Sequence, residues 1–176
     1  MTSSVTRRPS AAFLLRHPAH WIALGFGSGL APWAPGTVGT LWGWLSFLVL
    51  DHWLGPLGWS VAIGASLVIG VWACTLTAQH LGTSDPGAVV WDEVVGFWIV
   101  LWLLMPASGL AQFSAFVLFR YLDAAKPGPV GWADRLFERR PGEAIGWRHG
   151  FGILLDDLVA AGCTLFIIAF GVRLWS

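Results

Sequence analysis

Four long apolar stretches dominate the chain, and each has the length of a helix. Residues 37–50 carry no charge, and the apolar pattern continues past Asp51 and His52 to Leu54. Residues 57–78 are uncharged throughout, about 33 Å as a helix at ~1.5 Å per residue, which is enough to cross a bilayer. Residues 94–119 are also uncharged, but Pro106-Ala107-Ser108-Gly109 interrupts them. A missing N–H at Pro106 and a flexible Gly109 predict two helical arms that turn near 106–109. The second arm is expected to run to about residue 125, because Pro127 stops it. The last stretch, 158–172, needs residues 153–155 or tilt to span. Upstream, residues 11–24 predict an amphipathic helix lying at the membrane interface, after a disordered tail over residues 1–10. Arg7-Arg8 precedes only a short apolar run that Arg16-His17-Pro18 ends, which argues against a signal peptide. The expected fold is all-α: a polytopic membrane helical bundle with an interfacial N-terminal helix, a Gly/Pro-rich loop and a helical hairpin. Residues 11–176 form one membrane-embedded domain in this reading.

Composition sharpens the picture. Hydrophobic residues make up 56% and charged residues 11% of the 176, against about 45–50% and 25% in ordinary globular domains. A single core of this size cannot bury that much apolar surface, so the surplus faces lipid or a large partner. A net charge of zero argues against a nucleic-acid binder. The thirteen tryptophans suit the headgroup level, where an apolar ring and one N–H donor are both satisfied. Cys74 and Cys163 lie in apolar stretches and read as small hydrophobes rather than a disulfide or metal clip.

The basic residues set a topology. None occurs between Arg16 and Arg120, while Arg120, Lys126, Arg135, Arg139, Arg140 and Arg148 crowd one segment. The positive-inside rule puts the N-terminus and the 120–150 segment in the cytoplasm. Helix 37–54 then goes out, 57–79 returns, the 94–119 hairpin enters and comes back, and the last helix exits.

Polar groups in so apolar a chain need a reason. Asp92-Glu93 is expected to begin the first arm of the hairpin, Asp123 lies within the second, and Asp156-Asp157 is expected to begin the last helix. This topology puts all five carboxylates at the cytoplasmic interface, although only Lys and Arg were used to build it. Converging carboxylates call for a cation, and hard oxygen ligands suit Mg²⁺. Helix capping is the structural alternative for Asp92 and Asp156. His17, His20, His52, His80 and His149 are scattered and lack zinc spacing. Residues 25–39 hold five glycines and two prolines, a loop whose backbone donors can approach an anion; helix-packing glycines are the alternative. On a helix Arg120 and Asp123 share a face and Lys126 lies about one turn further on, so Arg120 and Lys126 can bind phosphate, or the group can form a salt-bridged helix end.

At these constellations the sequence resembles the phosphatidylglycerophosphatase A family. The segments are GFGSGLAPWAPGTVGTLWG at 25–43, VVWDEVVGFW at 89–98, FRYLDAAKPGPVGWADR at 119–135 and GFGILLDDLVAA at 150–161. The resemblance implies a multi-pass enzyme of the bacterial inner (cytoplasmic) membrane that removes the terminal phosphate of phosphatidylglycerol phosphate in a Mg²⁺-dependent reaction. The residues fit that reaction with Asp92, Glu93, Asp123, Asp156 and Asp157 as metal ligands and a base for water. Gly27, Ser28, Gly29, Gly36, Thr37, Arg120 and Lys126 are then expected to bind phosphate. The active site faces the cytoplasm, the partners are a phospholipid substrate and the bilayer, and no nucleic acid is involved. The rival is a non-catalytic membrane carrier or assembly subunit, whose carboxylates belong near the bilayer midplane on broken helices.

Overall fold

A computed structural model describes residues 9–140 and 142–175. The expected tail falls almost wholly, at residues 1–8, outside the described residues. All regular structure among the described residues is helical. In chain order the elements are α1 (Ala11–Leu14), α2 (Pro18–Ala23), a 3₁₀ segment (Gly25–Leu30), α3 (Pro35–Leu50), α4 (Pro56–Leu81), α5 (Trp91–Leu104), α6 (Gly109–Ala125), α7 (Pro129–Leu136) and α8 (Trp147–Trp175).

Local chemistry sets the ends. Pro35, Pro56 and Pro129 each open a helix, where the missing N–H costs nothing. Gly82, with φ at 71°, closes α4 in a left-handed turn. Ser108 caps α6, its hydroxyl accepting the Ala111 N–H at 3.2 Å. The hairpin turn lies between Leu104 and Gly109, and α6 stops at Ala125, both as the sequence predicts.

α5 is the central helix, packed against α3, α4, α6 and α8. Small residues allow that closeness. Gly43 of α3 sits so near α5 that an added Cβ would come 3.1 Å from the Val94 backbone. The Trp98 indole donates across the same contact to the Gly43 carbonyl at 2.9 Å. Phe47 and Trp59 stack at 4.4 Å between ring centroids beside it. Helices α4 and α8 are long and apolar enough to cross a membrane, and they turn Val61, Val68, Phe166 and Phe170 outward.

Several expectations are corrected. The amphipathic helix over 11–24 is two short helices, because Pro18 cannot continue α1 and His17 caps α2 instead. α3 ends at Leu50, and Asp51 accepts the Trp59 indole N–H at 2.9 Å. The loop over 25–39 is shorter than expected: α3 absorbs residues from Pro35 onward. Asp156-Asp157 does not begin the last helix but lies well inside α8, which starts at Trp147. Neither Asp92 nor Asp156 is a helix N-cap, since Val90 holds that position on α5. Trp59, Trp91 and Trp98 are buried in the core rather than held at headgroup level. Three of the histidines are not scattered: His20 Nε2 is 2.8 Å from His80 Nδ1, with His17 alongside.

Candidate active site

Three helices bring the acids together. α5 begins at Trp91, so Asp92 and Glu93 fall in its first turn, where the free N–H groups favour negative charge. Asp123 lies in the last turn of α6. Asp156 and Asp157 are inside α8, which packs on both α5 and α6. Carboxylate oxygens of Asp92, Glu93 and Asp157 lie within 4.8 Å of one another. Asp157 is 1% exposed and within electrostatic reach of Asp123 and Asp156. All five predicted carboxylates therefore share one neighbourhood.

Two cations divide it. Arg120, one turn before Asp123 on α6, is ion-paired with Asp123 and lies 3.6 Å from Glu93 Oε1. Its guanidinium also reaches the Thr40 hydroxyl at 3.4 Å. Gly36, in the first turn of α3, is pressed against this pair. A Cβ there would strike Glu93 Oε1 and come 2.9 Å from an Arg120 nitrogen. Lys126 follows α6 in a left-handed conformation, φ 46°, which turns its side chain back toward α8. It bonds Asp156 at 2.7 Å and pairs with Asp134 of α7. Burial works to lower the Lys126 pKa, but the bonds to Asp134 and Asp156 outweigh it and hold the ammonium above its ordinary value.

The cluster is incompletely satisfied. Asp92 Oδ1, Glu93 Oε2, Asp156 Oδ1 and both Asp157 oxygens are buried without a hydrogen-bond donor. So is the Arg120 Nε–H, without an acceptor. Buried carboxylates are costly unless donors or a cation compensate. Hard, all-oxygen ligands facing one point fit a Mg²⁺-like ion, so the residues present suit the metal that the sequence suggests.

The remaining predicted phosphate ligands divide. Gly36 is at the cluster, and Thr37 follows it in the first turn of α3. The structure does not bring Gly27, Ser28 and Gly29 there. The Ser28 hydroxyl donates to the Gly25 carbonyl at 2.8 Å. Gly27 takes a left-handed φ of 102° beside Leu14, and Gly29 is packed under the Ala88 carbonyl. Gly29 does line a cavity of about 500 Å³ with Pro35 and Asp85. Asp85 also borders a cavity of about 230 Å³ with Asp134 and Asp156. Sequence reasoning missed Thr40, Asp85 and Asp134. Thr40 left a signal, since it lies one turn after Gly36 on the same face, and Asp134 lies inside the family-like segment 119–135.

Comparison with known proteins decides the family. A family model described as phosphatidylglycerophosphatase A matches residues 21–172. The chain belongs to the phosphatidylglycerophosphatase A family. Members of this family are phosphatases, and so is this chain. A phosphatidylglycerophosphatase A of Escherichia coli K12 is 37% identical over 92% of this chain and 87% of its own length. The Haemophilus influenzae protein of the same name is 35% identical over 95% and 96%. A Bacteroides thetaiotaomicron protein, provisionally named as a phosphatidylinositol-3-phosphatase, is 35% identical over 84% and 89%. No solved structure matches the chain. Every residue of the cluster falls inside the span that the phosphatidylglycerophosphatase A model covers.

Proposed function

We propose that this protein hydrolyses phosphatidylglycerol phosphate to phosphatidylglycerol and inorganic phosphate, with Mg²⁺ as cofactor, at the cytoplasmic face of the bacterial inner membrane. The observation that carries the reading is the set of buried, donorless carboxylate oxygens on Asp92, Glu93 and Asp157, beside a fixed arginine.

Asp92, Glu93 and Asp157 would hold the metal, with Asp123 and Asp156 completing its surroundings. A bound Mg²⁺ would offset the charge of the phosphate and of these acids together. The protein's own groups do the rest. Arg120 presents a planar fork to two phosphate oxygens. Lys126, shared between Asp134 and Asp156, adds a compact positive charge on the other side. Gly36 and Thr37, in the first turn of α3 beside Glu93 and Arg120, would offer their backbone N–H groups to the same phosphate. A water oxygen attacks phosphorus while one of the unpaired carboxylates takes its proton. The P–O bond to the headgroup glycerol breaks, and the departing oxygen gains a proton to leave as the alcohol. A clamp of this kind acts mainly by stabilising charge on the transferring phosphoryl group.

The multi-pass arrangement belongs to the same proposal. α4 and α8 cross the bilayer, α3 and the α5–α6 hairpin add apolar depth, and the basic 120–150 segment stays in the cytoplasm. The outward apolar side chains of α3, α4, α6 and α8 support it. Detergent-purified protein incubated with phosphatidylglycerol phosphate and Mg²⁺ is expected to release phosphate and leave phosphatidylglycerol, read by phosphate assay and mass spectrometry. No release, with the protein folded, would overturn the reading.

A further inference from the structure

The proposed chemistry uses the headgroup end of a lipid and leaves open where the rest of it lies. An apolar groove of about 340 Å³ opens beside the cluster, between the end of α6, the start of α7 and α8. Its walls are Leu122, Pro127, Gly162, Cys163, Phe166 and Ile167, with no charged side chain among them. Leu122 is the chain neighbour of Asp123, and Pro127 is the neighbour of Lys126, so the α6 end of the groove lies one residue along the chain from two members of the charged site.

The other wall follows α8. Cys163 lies seven residues beyond Asp156 and Ile167 eleven, spacings that return to the same helix face. At ~1.5 Å per residue the groove therefore begins about 9 Å past Asp156 and continues to about 17 Å. α8 is one of the two helices of membrane-crossing length, and the groove leads from its charged level into its apolar half. That is the order of parts in a phospholipid: phosphate, glycerol, acyl chain.

We propose that this groove takes an acyl chain of the lipid substrate, and that Gly162 and Cys163 make the enzyme prefer long-chain over short-chain phosphate esters. The inference rests on the functional reading above. A second apolar groove, of about 330 Å³, is lined by Val38, Leu41, Trp42 and Leu45. It lies on the face of α3 away from Gly36 and so has no such continuity with the site.

Gly162 gives the test. A Cβ added there meets no protein atom within 4 Å, so a large side chain fills the groove rather than the core. The same is true of Gly64 on the exposed face of α4, which supplies a control. In mixed micelles, Gly162→Trp is expected to lower the kcat/KM ratio of long-chain to dibutanoyl phosphatidylglycerol phosphate by about tenfold, mainly through KM. Gly64→Trp leaves that ratio unchanged. An unchanged ratio in Gly162→Trp, or an altered self-association without a change in ratio, overturns the proposal. A second readout needs no turnover. Cys163 is partly exposed and Cys74 fully buried, so maleimide reports on the groove. In phosphatidylcholine vesicles, long-chain phosphatidylglycerol phosphate is expected to slow Cys163 alkylation, and the dibutanoyl ester is not. Equal rates with both count against the groove. Absence of hydrolysis by the wild type would instead strike the functional reading alone.

Discussion

Lys126 Nζ lies 2.7 Å from Asp156 Oδ2, which ties the left-handed residue ending α6 to the middle of α8. Asp134 of α7 shares the same ammonium, so one side chain holds three helices at the site. The lysine is held above its ordinary pKa, burial opposing and the two carboxylates prevailing. A raised pKa means that the stabilisation is complete below the unfolded value of about 10.4 and is lost as pH rises through the folded value. The difference in Tm between wild type and Lys126→Met is therefore expected to stay constant from neutral pH to about pH 10 and shrink above it. With the lysine side chain 30% exposed, the loss is expected to be about 1–3 kcal/mol, below that of a fully buried pair. A difference that shrinks between pH 6 and 8 would contradict this.

Asp157 separates chemistry from folding. Both of its oxygens are buried without a donor, and oxygens of two other acids lie within 4.8 Å. Without a cation these charges repel, so Asp157→Asn is expected to raise Tm in EDTA. It is also expected to remove the Tm gain that Mg²⁺ gives the wild type, and to cut kcat by more than the roughly 10–100-fold typical of an outer-sphere loss. Thermal unfolding with and without Mg²⁺ checks both halves. A variant with normal Mg²⁺ dependence would make Asp157 structural.

Arg120→Lys keeps the charge and loses the fork. The arginine meets Glu93, Asp123 and Thr40 at once, which one ammonium cannot reproduce. We expect kcat/KM to fall by about 10²-fold or more with little change in far-ultraviolet circular dichroism. Near-wild-type kinetics would remove Arg120 from the phosphate clamp.

Gly36→Ala tests the closeness of α3 to the site. The new methyl would collide with Glu93 and crowd Arg120, at a cost of about 1–3 kcal/mol for overpacking. Both Tm and turnover are expected to drop, whereas Gly64→Ala, facing open space, is expected to change neither.

Much of this site was legible in the chain. Pro106 and Gly109 announced the hairpin, and Pro127 the end of α6, because proline and glycine act locally. Asp156 and Asp157 were found but misplaced within the helix. α8 starts nine residues before Asp156, and Gly150 and Gly152 inside it are close-approach positions, Gly150 against α4 and Gly152 against Phe137. Glycines that serve close helix packing do not mark a helix start in the sequence. Asp134 was missed because its partner Lys126, eight residues back, lies across the break between α6 and α7 at no helical spacing. Asp85 was missed because Lys126, Asp134 and Asp123, which it faces, are distant in the chain. The tryptophans misled for a similar reason. Each buried indole found an acceptor in the bundle, as Trp91 does at the Ser66 carbonyl, 3.0 Å away, and so had no need of the headgroup region.

The N-terminal helices carry their own pH dependence. Burial lowers the His20 pKa, helped by His80, His17 and Arg16 and opposed by the bond to the Phe13 carbonyl. A lowered value gives stability that is complete above about pH 6.5 and is lost as pH falls toward the folded value. Protection from hydrogen exchange over residues 11–23, taken relative to the intrinsic exchange rate at each pH, is expected to fall below about pH 6 and to stay constant between about pH 7 and 8. His20→Gln is expected to flatten that profile, and an unchanged profile would contradict it.

The central claim is that the carboxylate cluster hydrolyses a lipid phosphate with a bound divalent cation. Its most direct test is phosphate release from phosphatidylglycerol phosphate by EDTA-stripped protein, titrated with Mg²⁺, with Asp157→Asn alongside. The account predicts no release without metal, a saturable recovery for the wild type and none for the variant at the same Mg²⁺ concentrations. Full activity in the chelated wild type, or equal recovery in both proteins, would contradict it.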